Sequence, residues 1–261
     1  MRFAIIADIH GNLEALQVVL QDIKQQGCTH YACLGDVVGY GASPNEVVAE
    51  LQRVGATGVM GNHDLAALGD DVIDTFNEAA HAAALWTRDV LTAESRGWLR
   101  ALPKVLEMGA ATIVHASLRD PILEYVVQGE VAEANLRALH TPLLFHGHTH
   151  TPAHWTLRAG RATSVAIDGA AQPLHAPSLV NLGSVGQPRD GDPRAGFAVV
   201  DTGRREVTIY RVDYPIAQAQ ARIAGVVDGN ANLTGKPFGA WTVQLPATIA
   251  PTPSFSATRA A

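Results

Sequence analysis

Three segments decide the architecture: FAIIADIH at residues 3–10, HYACLGD at residues 30–36 and TGVMGNHD at residues 57–64. Each is a short apolar run that ends in residues able to hold a metal. Short apolar runs bounded by polar turns read as buried strands. Between the first two, Leu13, Leu16, Val19, Leu20 and Ile23 recur at helical spacing, with Asn12 placed to cap and Gly27 to terminate. Between the second and third, Ser43-Pro44-Asn45-Glu46 reads as a helix start. Ser43 would cap, Pro44 suits the first turn and Glu46 would complete a capping box, with the helix running to about Val54. The result is strand–helix–strand–helix–strand. Asp36 follows His10 by 26 residues, and Asn62 follows Asp36 by 26. That repeat is roughly one βαβ crossover. Asp8, His10, Asp36 and Asn62 therefore fall just past successive parallel strands, on the sheet edge where open α/β folds bind ligands.

The rest of the chain continues the pattern less regularly. Residues 75–92 predict an Ala-rich helix with Leu85 and Trp86 as core anchors, and 95–101 a second helix stopped by Pro103. Strands are expected at about 104–108 and 111–115, the latter ending at His115. A helix near 131–139 leads to a strand at 143–146 that ends in Gly147-His148-Thr149-His150. Further strands near 153–158, 163–167, 178–182, 196–201 and 206–213, joined by short polar turns, predict a more antiparallel sheet in the second half. A helix follows at about 215–226. Residues 246–261 are rich in Pro, Ala, Ser and Thr and read as a tail, leaving 1–245 as one domain.

Composition excludes several classes. No apolar run approaches the ~20 residues of a membrane span. The first apolar stretch is short, lacks a small-residue cleavage site and runs straight into the first motif, so a signal peptide is not expected. Cys28 and Cys33 lie in or beside one strand, which argues against a disulfide and for a reduced, cytoplasmic setting. The net charge of −6 comes without a basic stripe, so long nucleic acid is not an expected partner. Homo-oligomerisation is left open.

Two Asp, one Asn and four His form the constellation that carries chemistry. Hard oxygens and borderline nitrogens together suit a pair of divalent ions. Asp36, between the two ligand groups in sequence, is the natural bridge. Asp8, His10 and His150 would complete one site, and Asn62, His115 and His148 the other. Two divalent ions, two carboxylates and one bridging hydroxide leave roughly one positive charge, which favours a phosphoryl group; metals about 3.5–4 Å apart can clamp an in-line displacement. Each motif alone is weak: Asp-x-His is common, Gly-Asp is a turn, and a strand-end histidine is ordinarily packed or solvated. The full ordered series is not weak. Of the other histidines, His146 should face away from the site. His30, His140, His154 and His175 read as surface or loop residues, and His81 as a helix residue that could line the cleft. Asp64 could orient a neighbour or cap a helix. Arg189, in a Gly/Pro/Asp-rich loop with Arg194, could face phosphate; Tyr40 could stack on a base or simply pack.

These motifs resemble those of the calcineurin-like metallophosphoesterases over about residues 1–214. The resemblance implies a four-layer α/β/β/α sandwich of two mixed sheets flanked by helices, with a dinuclear centre between their loops. It implies the same ligands, and a hydroxide that attacks phosphorus while His63 protonates the leaving oxygen. Manganese is the preferred metal, with Fe, Ni, Co and Zn compatible. The stretch Gly35-Asp36-Val37-Val38-Gly39-Tyr40-Gly41 lacks the Asp-Arg-Gly of the protein Ser/Thr phosphatase branch, which argues against phosphoprotein substrates and the symmetrical dinucleoside tetraphosphatases of that branch. Small bacterial phosphodiesterases of the YfcE type are more similar in length and order, and Asn181–Gly191 resembles them too, although several carry Cys where this chain has His63. The expected substrate is a small phosphodiester or nucleotide-like ester. The alternatives are a phosphomonoesterase, a dinucleoside polyphosphate hydrolase, or a non-catalytic scaffold of the same fold.

Overall fold

The computed structural model describes residues 1–167 and 169–228. The expected tail at 246–261, and residues 229–245 of the expected domain, lie outside the described residues. In chain order the elements are β1 (Arg2–Ile6), α1 (Leu13–Gln25), β2 (His30–Cys33), α2 (Pro44–Arg53), β3 (Thr57–Gly58), α3 (Asn62–Leu68), a 3-10 turn (Asp71–Thr75), α4 (Glu78–Val90) and α5 (Ala93–Arg100). There follow β4 (Val105–Met108), β5 (Ala111–Val114), α6 (Gly129–Ala138), β6 (Leu143–His146), β7 (Ala153–Arg158), β8 (Arg161–Ser164), β9 (Gln172–Pro173), β10 (Ser178–Asn181), β11 (Ala195–Asp201), β12 (Glu206–Val212) and α7 (Ile216–Asp228).

The strands form two mixed six-stranded sheets, in the orders β3-β2-β1-β11-β12-β9 and β4-β5-β6-β10-β7-β8. In the first, β1, β2 and β3 are parallel, β11 pairs antiparallel with β1, and β12 pairs antiparallel with β11. In the second, β5, β6 and β10 are parallel. The sheets face each other across an apolar layer of Phe3, Ile5 and Leu34 from one and Ile113, Phe145 and Val180 from the other. Phe3 and Phe145 meet edge to face at 6.4 Å, a favourable aromatic geometry. The outer face of the first sheet is covered by α1 and α2 through Leu16, Val19, Ile23, Val47 and Leu51. The outer face of the second is covered by α6 through Ala132 and Leu136. The expected four layers are therefore present. Strands buried on both faces read as continuous apolar runs, which is why β1 and β5 were visible in the sequence.

Several local expectations are corrected. Residues 153–213 do not form one antiparallel sheet: β7, β8 and β10 join the second sheet, while β9, β11 and β12 extend the first. The helix expected from residue 75 begins at Glu78, capped by Asn77, whose Oδ1 accepts from Ala80 N at 3.0 Å. Leu85 points outward at 40% exposure, whereas Trp86 is buried as expected. Ser43 precedes α2 but makes no side-chain cap. His154 is buried on β7 rather than at the surface. Among the described residues, no helix is long and apolar enough to cross a membrane.

Candidate metal centre

The loops that follow β1 and β2 are zipped together by backbone hydrogen bonds: Asp8 N to Gly35 O, His10 N to Asp36 O, and Gly11 N to Val37 O, all 2.9–3.1 Å. Asp64 fastens the third loop to them. Its Oδ1 accepts from Val37 N and Val38 N, and its Oδ2 from Gly61 N. This is both of the roles the sequence left open for Asp64, since the last bond also caps α3. Burial and the neighbouring Asp36 charge push its carboxyl up to about 7, against the pull of those three donors. From the second sheet, β5 delivers His115 and the turn after β6 delivers His148 and His150. The segment 182–189 closes the side: Ser184 Oγ donates to Asp8 O, and Asn12 Nδ2 to Gly186 O.

Two clusters result, Asp8–His10–Asp36–His150 and Asp36–His115–His148, with their donor atoms within 4.8 Å of one another. Asp36 belongs to both. Its Oδ2 lies 3.6 Å from His10 Nε2 and 3.4 Å from His115 Nε2. Asp8 Oδ1 is 3.5 Å from His150 Nε2. Asn62 joins the second cluster through Oδ1, 2.9 Å from His115 Nε2. All seven residues named from the sequence are thus brought together, and all are buried.

The orientation of the imidazoles says what this cluster suits. His10 Nδ1 faces Val38 O at 3.3 Å, His115 Nδ1 faces Leu34 O at 2.8 Å and His150 Nδ1 faces Gln187 O at 2.6 Å. His148 faces Leu123 O through Nε2 at 3.3 Å. A carbonyl only accepts, so the nitrogen against it carries the proton and the other presents a lone pair inward. These lone pairs meet: His10 Nε2 and His150 Nε2 are 3.1 Å apart, and His115 Nε2 and His148 Nδ1 are 3.0 Å apart. Burial holds all four imidazoles below their ordinary range. Burial also pushes Asp36 up to about 7, and burial with the Asp36 charge raises Asp8. Lone pairs converging without a proton between them are a donor set for cations, and the residues present fit divalent metals.

His63 stands beside the clusters on the first turn of α3. Its ring lies between Tyr40 and Phe76, at centroid distances of 4.4 and 4.5 Å, and edge-on to His10. Its Nδ1 is buried with no hydrogen-bond partner among the described residues. Tyr40 is buried and hydrogen-bonds Arg189. Arg189 itself is exposed, donates to Gln187 Oε1 at 2.7 Å and sends its positive charge toward Asp8, Asp36, His10 and His150. Arg194 pairs instead with Asp192 on the surface. His146 is buried and lies outside both clusters, and His81 is half-buried on α4. A cavity of about 490 Å³ opens over the centre, lined by Asp36, Asn62, His63, His148, His150 and Arg189 on its polar side. Phe76, Leu123 and Tyr125 line it as well; they gave no sequence signal, because single apolar residues on loops carry no periodicity.

Two facing mixed sheets thus carry, on their shared loop edge, a buried Asp/His cluster able to hold divalent metal. Residues 1–205 match the calcineurin-like phosphoesterase superfamily domain, and the chain belongs to that family. It is 38% identical over 231 residues to the uncharacterized protein MJ0912 of Methanocaldococcus jannaschii, covering 84% of this chain and 90% of the relative. The crystal structure of a metallophosphoesterase from Sphaerobacter thermophilus superposes with a TM-score of 0.77 at 36% identity, covering 93% of this chain and all of the other. The hypothetical protein PH1004 from Pyrococcus horikoshii OT3 shares the fold at a TM-score of 0.73 and 23% identity, covering 89% of this chain and 96% of that one.

Proposed function

We propose that this chain is a two-metal phosphoesterase that hydrolyses small phosphodiesters. One observation carries the reading: Asp36 Oδ2 stands between a ligand nitrogen of each cluster, His10 Nε2 and His115 Nε2, where a single carboxylate would serve two ions. Asp8, His10 and His150 would hold one ion, and Asn62, His115 and His148 the other, with manganese preferred and iron, nickel, cobalt or zinc compatible with the same donors. When bound, such ions supply Lewis acidity and lower the pKa of water to generate a nucleophile at neutral pH.

The chain's own residues do the rest. Arg189 binds the phosphoryl oxygens from the open side, and Tyr40 holds the guanidinium in place. His63 carries a proton to the leaving oxygen, fixed in orientation by the two rings that enclose it. The free, buried Cys28 and Cys33 support a reducing, cytoplasmic setting.

The test is hydrolysis of bis(p-nitrophenyl) phosphate by purified protein, stripped of metal and reloaded with manganese. Activity that returns with the metal supports the reading. Turnover of p-nitrophenyl phosphate alone would replace it with a phosphomonoesterase. Silence on both, in folded and metal-loaded protein, would overturn it.

A further inference from the structure

The cavity above the centre is larger than a phosphoryl group requires, and the part beyond the metal ligands is aromatic. One part of the lining comes from the start of α4 and the stretch before it, with Phe76, Asn77 and Ala80; another comes from the loop after β5, with Leu123 and Tyr125. Tyr125 is unusual among the rings of the described residues. It is 49% exposed and belongs to none of the apolar clusters. Among the described residues its one ring contact is His148, at a centroid distance of 4.1 Å and a tilt of 38°. One face of the phenol therefore rests on the centre while much of the ring is open to solvent. Phe76 lies with one face on His63. Asn77 spends its Oδ1 on the cap of α4, which leaves its amide N–H donors on the same wall.

We infer that Tyr125, with Phe76 and Asn77, forms a shelf for the base of a nucleoside phosphate, so that the ester hydrolysed here carries a nucleobase. The inference rests on the phosphoesterase reading and deepens it. A nucleotide places a flat π-surface one sugar away from its phosphate, and this cleft places aromatic faces beside a phosphate-binding centre. Open aromatic faces bind bases with little sequence preference, because every base has a π-face. A cavity of about 490 Å³ falls within the usual range of small-ligand sites, roughly 300–1,000 Å³. Asn77 adds a donor for a ring nitrogen or carbonyl at the edge of the base.

The test compares AMP with ribose 5-phosphate by calorimetry on manganese-loaded protein, with phosphate release followed in parallel. The wild type is expected to bind AMP about tenfold more tightly, within the range of one base stacked on an aromatic side chain. Tyr125→Ala should bring that ratio close to one, and Tyr125→Trp should keep it. Metal content, measured for each variant, controls for a disturbed His148. Equal affinities in the wild type, or a ratio untouched by Tyr125→Ala, would overturn the shelf. The two readings fail separately. A preference for AMP in a protein that hydrolyses no phosphoester leaves the shelf and removes the phosphoesterase. Hydrolysis of bis(p-nitrophenyl) phosphate without a preference for AMP does the reverse.

Discussion

Asp8, His10, Asp36, Tyr40, His148 and His150 all hold φ between 49° and 66°, in the left-handed region. For a residue with a Cβ this costs about 1–2 kcal/mol, and such strain gathers where a site needs its side chains aimed. The residue types of the centre were legible in the sequence, because Asp, Asn and His at strand ends are a chemical statement. Their backbone conformation was not, because nothing in Asp-x-His tells a strained turn from an ordinary one. Close backbone approach completes the aim. A Cβ on Gly147 would stand 2.6 Å from Asp8 Oδ2, and one on Gly61 would clash with Asp36 Oδ1 and its backbone N. Gly61→Ala should therefore displace the shared carboxylate, lowering bound metal and reducing turnover by about 10², the effect of a misplacement near 1 Å. Metal analysis and kinetics on the same sample check it; full metal content with normal turnover would contradict this account of Gly61. His63→Ala should separate from it cleanly. Metal is retained while kcat falls by about 10²–10⁴, the usual contribution of a positioned acid. Loss of metal in that variant would make His63 a ligand or a structural residue instead.

At the level of elements, the first half of the chain was readable and the second only in part. β1, α1, β2 and α2 follow from periodicity, with Asn12 capping α1 as expected although Ser43 makes no side-chain cap on α2. Helix α3 was not anticipated, although Gly61-Asn62-His63-Asp64 holds the signal: an acid three residues after a helix start can reach back to the N-cap N–H. Asp64 does so, and its other oxygen ties down the Asp36 loop. Asp64→Ala leaves three buried N–H groups without an acceptor. At about 1–3 kcal/mol each, the metal-free protein should lose about 3 kcal/mol or more in urea unfolding, and Asp64→Asn less; equal stability would mean that water replaces the carboxylate. The later strands misled because turn residues mark where strands end, not which sheet they enter. His154 on β7 is one consequence. It is 2% exposed, contacts Ser178 Oγ at 3.3 Å, and burial lowers its pKa to about 4. Unfolded, it takes up a proton below about 6.5; folded, it does not until about 4. The unfolded state thus binds more protons in that window, so the contribution of His154 is complete above about 6.5 and lost as the pH falls toward 4. Between pH 7 and 5 the wild type should lose about 2 kcal/mol more stability than His154→Asn. Parallel loss in both would show that this ring titrates as in water.

Across the whole molecule the centre lies on a seam. Asp8, His10, Asp36 and Asn62 hang from the first sheet, and His115, His148 and His150 from the second. The direct bonds across that seam are polar: His148 N donates to Asp8 at 3.1 Å, His115 Nδ1 to Leu34 O at 2.8 Å and Ser184 Oγ to Asp8 O at 2.8 Å. Bound ions would join the sheets at the loop edge, and Asp36, common to both clusters, would carry most of the junction. Metal would then act on the fold as well as on the chemistry. A ligand that binds only the native state at about 1,000 times its Kd stabilises by about 4 kcal/mol. In a domain of this size, each kcal/mol raises Tm by roughly 2–4 °C. Chelation should therefore lower Tm by about 10 °C, and manganese should restore it. Asp36→Asn should melt near the chelated wild type and respond little to manganese, because the acceptor common to both clusters is weakened. Hydrogen exchange gives the location: protection should fall first in the loops after β1, β2 and β6, while the apolar layer around Phe3 and Phe145 keeps its own. A Tm indifferent to metal in the wild type, or a full manganese response in Asp36→Asn, would mean that the sheets are held by their apolar interface alone and that Asp36 is not the shared ligand.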